Sequence, residues 1–565
     1  MRDRSWLALL VTAAACGSGD AGSAYFPDAS SGGTDATLGC LSSNECPAGT
    51  VCNEFGACVL PPGGGGGGSG SNDAGMPPPP PEVEIEFGAP TSSDRYIYVP
   101  MTAQDELARI DGQTLAVTST PVGLKPKVVA TIPGSDGAVV LDTHNGTATV
   151  VRPAVSSEGD TKRTLGTLAN LNRVDIDPSG RYAVVWFDLA KHLQDGTLGT
   201  VGSFQDVTVI ALAPGVERAV NLTVGFRPRD VQFDAAGTRA YVITADGVSV
   251  IDMGYATTHG PSIVPPIPVA EVAAQETAEV DILPTGQYAA VRQVGESALR
   301  IVSMAAANPG QAWILPLASP ATDIDLAPDG GRVYAVSREA KELSIVDVPG
   351  DIGNPAAVTR VDLTGHSIGS FVLSADGRRA LMFTNATADE RITKIELAQP
   401  GFPITTWPLK KSVRAVGLSP NGSTAIVINA KIAGDPATAT TTDQYIDRSY
   451  GYTLLDLATG FGKLQITPVD PGSFAYAPDG SKAYVALDGG NAVTATRALQ
   501  VVTTQTGVVI TKQLGSPPSA VGILPGANEA FAAQRHPLGR VTFIDLTTDA
   551  VRTVTGFDLN GNIVN

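Results

Sequence analysis

The chain has 565 residues, with 38 Lys and Arg against 56 Asp and Glu, a formal charge of −18 and only 17% charged residues. Sparse and net-negative charge is unsuited to coating nucleic acid or an anionic lipid surface, so neither is expected as a partner. The 62 Gly and 41 Pro, without long Leu/Glu/Lys-rich stretches, argue against a helical bundle and for an all-β chain.

At the N-terminus, Arg2 and Arg4 precede an apolar run from Trp6 to Val11, followed by Ala13, Ala14, Ala15 and Cys16. That is the charged, apolar and small-residue order of an export signal, and its apolar part is too short to span a bilayer as a helix. The ending AAAC resembles the lipobox of bacterial lipoproteins, with Ala13 standing where that family usually has Leu. The resemblance implies that Cys16 is acylated and becomes the mature N-terminus. The protein would then be held in the bacterial cell envelope by a lipid anchor, on the outer membrane, facing the periplasm or the cell surface. A plain secretory signal, cut after one of the alanines, is the alternative.

Residues 17–39 are rich in Gly, Ser, Ala, Asp and Thr and read as a flexible tether. Cys40, Cys46, Cys52 and Cys58 follow at even spacing in a small module at 40–58, leaving Cys16 as the odd cysteine. Two disulfides suit so short a segment in an exported protein, with three connectivities open. A zinc site competes, but the uniform gaps lack the close C-x₂₋₄-C pairs of structural zinc clusters. The linker at 59–82 passes from Gly63–Gly68 to Pro77–Pro81, flexible first and then stiff. Residues 17–82 therefore read as a disordered stalk that carries the cysteine module.

From residue 83 onward one pattern recurs: a short alternating apolar stretch, a Pro/Asp/Gly turn, then a denser apolar strand. It is clearest in NRVDIDPSGRYAVVWF (172–187), TDIDLAPDGGRVYAVS (322–337), RAVGLSPNGSTAIVIN (414–429) and GSFAYAPDGSKAYVAL (472–487). The marker glycines Gly137, Gly180, Gly237, Gly286, Gly330, Gly377, Gly422 and Gly480 lie 43 to 58 residues apart. That period suits four antiparallel strands, A to D, which is one blade of a β-propeller. In the third unit the strands are expected at Arg173–Asp177, Tyr182–Phe187, Val207–Leu212 and Ala219–Val224. Counting Val83–Glu86 as strand A of the first unit gives about ten units over 83–565. A single large ring is favoured over two smaller ones, and Asn562–Val564 is a candidate closing strand.

LAPDGGRVYAV with LSIVDV, and YAPDGSKAYVAL, resemble the YVTN-type propeller repeats of bacterial surface proteins. The resemblance covers about 83–550. It implies the fold and leaves the ligand open.

Alternating strand direction sends A–B and C–D turns to one rim, and B–C turns and D–A crossings to the other. The two long units owe their length to B–C insertions, Leu189–Gln205 and Lys431–Tyr450, so both belong on the second rim, where binding is expected. His144, His192 and His536 fall in B–C loops and His366 in a D–A crossing, all on that rim, whereas His259 does not. The first three come from units close in the ring, as a metal or acid–base site would need, although isolated loop histidines account for them equally. Lys127, Arg173, Arg229 and Arg414, with Lys410 and Lys411, stand near the starts of A strands, at the mouth of the channel. They suit an anionic ligand, or they neutralise Asp175, Asp230, Asp281 and Asp325, which could themselves hold a cation.

The motifs of covalent haem attachment, serine hydrolases, zincins, P-loops and EF-hands are absent from the sequence. The expected protein is therefore a monomeric, non-enzymatic envelope lipoprotein without metal or cofactor. Its propeller would bind a protein, glycan or small ligand on the B–C rim. The alternative is a periplasmic propeller enzyme, lactonase-like or quinoprotein dehydrogenase-like, with its site near His144, His192 and His536.

Overall fold

A computed structural model describes residues 91–142, 144–154, 160–194, 201–271, 278–488 and 496–557, with the short strands Val51–Cys52 and Cys58–Val59. Cys16, Cys40, Cys46, the stalk, Val83–Glu86 and Asn562–Val564 lie outside the described residues. The two short strands pair antiparallel, with Cys52 directly opposite Cys58 in the backbone register.

Ten further sheets follow in chain order, each an antiparallel meander of consecutive strands. The ten blades span 96–121, 126–166, 173–223, 228–252, 278–316, 323–362, 370–408, 413–467, 471–513 and 518–555. Eight have four strands. Blade 3 is representative, with Arg173–Ile176, Tyr182–Trp186, Asp206–Ala211 and Arg218–Thr223, within a residue of the expected bounds. Its strand B shows why these segments are apolar throughout. Ala183 and Val185 face blade 2, whereas Val184 and Trp186 face blade 4. A strand covered on both faces needs no polar alternation.

Ten buried apolar clusters occupy the ten gaps between neighbouring blades. One of them joins Ile97, Ala108 and Ile110 of blade 1 to Phe531, Val541 and Phe543 of blade 10. The chain therefore closes a single ten-blade ring, larger than the common four to eight blades or so. Closure is by packing and by bonds across the seam. Gly526 N donates to Asp94 O at 2.8 Å, and Arg552 donates to the carbonyls of Gln113 and Gly112 at 2.9 and 3.1 Å.

Two blades show three strands among the described residues. In blade 1 the inner position is represented by the bridge of Ser92 to Ile97. In blade 4, strand C (Gly247–Asp252) runs directly into helix α2 (Met253–His259), whose N-cap Asp252 accepts from Tyr255 N at 2.9 Å. Pro261, Pro265, Pro266 and Pro268 then deny the next segment a continuous ladder. It makes only single bridges, Ile263 to Thr223 of blade 3 and Ile267 to Val248 of blade 4. One marker glycine is also corrected: the left-handed residue in the A–B turn of blade 2 is Gly134 (φ 70°), not Gly137.

The first rim is tied turn to turn. Tyr98 Oη donates to Asp136 O of blade 2, and Tyr241 Oη to Gly286 O of blade 5 at 2.6 Å. Arg181, Arg379 and Asn421 reach the turn carbonyls of Ala236, Gly422 and Asp479 at 2.6 to 2.8 Å. Around the channel, strand A side chains satisfy backbone groups of the next blade's inner edge, which would otherwise lack partners. Gln232 Oε1 accepts from Ile282 N at 2.7 Å, Asp323 from Phe371 N at 2.7 Å, and Ser473 Oγ from Val521 N at 2.9 Å.

Candidate functional site

The second rim carries both long insertions, because each joins strand B to strand C, in blades 3 and 8. Local bonds show that B–C connections and D–A crossings share this rim. In blade 3, Gln205 O and Phe204 O accept from Val224 N and Arg227 N of the crossing into blade 4, at 2.6 and 2.7 Å. In blade 8 the insertion rests on Lys411 of the crossing from blade 7.

The blade 3 insertion opens with helix α1 (Leu189–Gln194) and is fastened by rings. Phe187 packs edge-on against Phe204 at 5.7 Å, and Phe204 lies 6.1 Å from Phe226.

The blade 8 insertion leaves strand B (Thr424–Asn429), makes a 3-10 turn at Pro436–Thr438 and helix α3 (Thr442–Arg448), and enters strand C (Tyr450–Asp456). Thr441 caps α3, its hydroxyl accepting from Gln444 N at 3.2 Å. The other end of α3 is held by Lys411, which is 1% exposed and donates through Nζ to Ile446 O at 2.6 Å and Asp447 O at 2.9 Å. An ammonium there satisfies carbonyls that have no partner within the helix and meets the negative end of its dipole. Burial pulls the Lys411 pKa down, partly offset by Asp447 and Glu390. Arg448 Nη1 donates to Thr438 Oγ1 at 3.0 Å, and Ile432 N to Asp447 O at 3.0 Å, closing the insertion on itself.

Between this insertion and the end of strand D (Gly462–Thr467) lies an open cavity of about 370 Å³. Its wall is made by Lys431, Pro436, Tyr445, Ser449 and Tyr450 from the insertion, and by Ile466 and Thr467 at the end of strand D with Pro468 just after it. Lys431 Nζ stands 5.1 Å from the Tyr450 ring centre and donates to Gly434 O at 3.2 Å. Ser449 and Thr467 are buried, and their hydroxyls donate to Tyr445 O and Val469 O at 2.6 and 2.7 Å.

The residues expected from sequence are spread around the ring. His144 is exposed in the B–C turn of blade 2. His192 lies on α1, its ring 5.4 Å from Phe187. The Nδ1 of His366 is 2.6 Å from Thr406 Oγ1, on strand D of blade 7, and the Nδ1 of His536 accepts from Leu538 N at 3.2 Å. His259 stacks on Tyr255 of its own helix at 3.8 Å. Among the described residues no three His, Cys, Asp or Glu side chains are grouped as a metal would require. Of the cations, Arg173 pairs with Asp188 at 2.9 Å, Arg414 grips Asp470 through two bonds of 2.7 Å, and Arg229 donates to Ala278 O at 3.2 Å. Lys127 and Lys410 are exposed. Asp175 accepts from Trp186 Nε1 at 2.5 Å, and Asp230 accepts from Val231 N and Gln232 Nε2 at 2.8 and 2.9 Å. Arg173 and Arg414 thus pair directly with carboxylates of the crossings and loops, while Arg173 also acts electrostatically on Asp175.

The insertion is legible in the sequence, whereas Tyr445, Ser449 and Lys431 within it are neither histidines nor strand A cations and do not stand out as a site. A clustering of two tyrosines and a lysine in one long loop was the available signal. The Ile466–Pro468 wall comes from strand D, where Thr467 is the register partner of Tyr450, and had none.

No family model matches the chain, and no curated protein matches it. Among solved structures, a eukaryotic initiation factor aligns over 75% of this chain and 96% of its own, at 12% identity and a TM-score of 0.45. Dihydro-heme d1 dehydrogenase NirN aligns over 84% and 76%, at 11% identity and a TM-score of 0.37. Hydrazine synthase of Kuenenia stuttgartiensis aligns over 58% and 95%, at 14% and 0.31. At this level of likeness none of them bears on what the chain does.

Proposed function

We propose that the protein is a non-enzymatic cell-envelope lipoprotein whose propeller is a binding scaffold, working through the second rim. The observation that carries this reading is the blade 8 cavity. It is walled by an insertion that the fold does not need, on the rim opposite the turn-to-turn ties, and is held in shape by its own bonds. Rigid support under a variable loop is how a scaffold presents a binding surface. The engagement of His192 with Phe187, and of His536 with its own loop, favours binding over the enzymatic alternative. The export signal and the AAAC ending support the anchor at Cys16.

Replacing residues 432–448 by a short Gly-Asn turn tests the scaffold reading. Thermal unfolding is expected to stay within a few degrees of wild type, while retention of the envelope component bound by the full-length protein is lost. Unchanged retention contradicts it. Separately, Cys16→Ser is expected to move the protein from the membrane to the soluble fraction, and continued sedimentation with membranes contradicts the lipid anchor.

A further inference from the structure

We infer that the blade 8 cavity takes a saccharide, an inference that rests on the binding role given to the second rim and names the ligand class. Ser449 and Thr467 line the cavity and each spend their hydroxyl hydrogen on a backbone carbonyl, so a ligand that reaches these oxygens finds only lone pairs. Lys431 presents the opposite polarity: an ammonium has three donors, and one of them is on Gly434 O. The rest of the lining is two tyrosines, Tyr445 and Tyr450, with the apolar Pro436, Ile466 and Pro468.

A simple anion satisfies Lys431 but turns acceptors toward the oxygens of Ser449 and Thr467. A cation meets the Lys431 ammonium, which already stands over the Tyr450 ring where a cation would be drawn. A purely apolar ligand covers the remaining donors of the Lys431 ammonium without pairing them, at desolvation cost. A pyranose fits each part. Its hydroxyls donate to Ser449 and Thr467 and accept from Lys431, while a C–H face lies on a tyrosine ring. A cavity of about 370 Å³ is near the lower end of the ~300–1,000 Å³ usual for ligand sites. That size suits a short sugar or the end of a glycan. Tyr445 is 48% exposed, so its ring has a face to offer.

The test is calorimetric titration of the full chain with glucose, galactose, N-acetylglucosamine and glucuronate, with acetate and tetramethylammonium as ionic probes. At least one sugar is expected to bind one-to-one, and neither ionic probe. Tyr445→Ala and Lys431→Met are each expected to weaken that binding roughly tenfold or more. Tyr255→Ala, at an exposed tyrosine of blade 4, leaves it unchanged. Both cavity variants are at partly exposed positions, and an unaltered unfolding temperature certifies that they fold. Binding of no sugar, binding of an ionic probe instead, or sugar affinity indifferent to Tyr445→Ala overturns the inference. If no sugar binds while excision of 432–448 still abolishes retention of the envelope component, the saccharide assignment alone falls. If excision leaves retention unchanged, the scaffold reading falls with it.

Discussion

Asp175 shows what single residues contribute at the blade interfaces. It is 4% exposed, and burial above all pushes its carboxyl up to about 7, against the bond from Trp186 and with help from Asp230. In the unfolded chain the same group titrates near 3.9. Between those values the folded state holds the extra proton, so stability falls as pH rises through that window, and the full cost of a buried carboxylate is present above about 7. Asp175→Asn keeps an acceptor for Trp186 and removes the titration. Thermal unfolding followed from pH 4 to 8 should lose part of its decline in the variant, with the gain largest at pH 8. An unchanged slope would show that the carboxyl does not titrate in this range. The residue scale is also where sequence reading reached least. Val174 and Ile176 were legible as core, but that Trp186 would reach back to Asp175 depends on which face of the strand each occupies.

At the scale of elements, the strands were legible because both faces of each blade are buried, which writes dense apolar runs such as TAIVIN (Thr424–Asn429) between glycine-marked turns. What stayed hidden was set by tertiary partners. The outer strand of blade 4 is lost to α2 and a proline-rich segment. The blade 8 insertion takes its shape from Lys411, a residue read from sequence as a channel-mouth cation. Lys411→Met preserves the apolar stem but removes the ammonium's two bonds, leaving Ile446 O only the bond from Ser449 N and Asp447 O only that from Ile432 N. At about 1–3 kcal/mol for such a loss, proteolytic cleavage within 432–448 should rise roughly tenfold, while the unfolding temperature of the ring changes little. Cleavage at the wild-type rate would mean that the insertion holds its shape without Lys411.

For the whole molecule, the repeat count and the parity of the loops were legible, whereas the choice of one ring over two was decided by the packing of blade 10 on blade 1. That seam has no shared strand among the described residues, and Arg552 crosses it while pairing with the buried Glu529 at 2.5 Å. Arg552→Ala removes the partner of the buried Glu529 carboxylate, at about 1–3 kcal/mol. Faster hydrogen exchange is expected first in Tyr96–Met101 and Glu529–Gln534, with recovery in Arg552→Ala/Glu529→Gln; a uniform rise in all blades would refute the seam as the weak point. A ring tied on one rim and elaborated on the other should bind through the elaborated one. Photo-crosslinking in intact cells decides this most directly, with a benzophenone amino acid placed at Tyr445 on the second rim or at the exposed Asp329 in an A–B turn of the first. Adducts from position 445 and none from 329 are predicted; adducts from 329 alone would contradict the account.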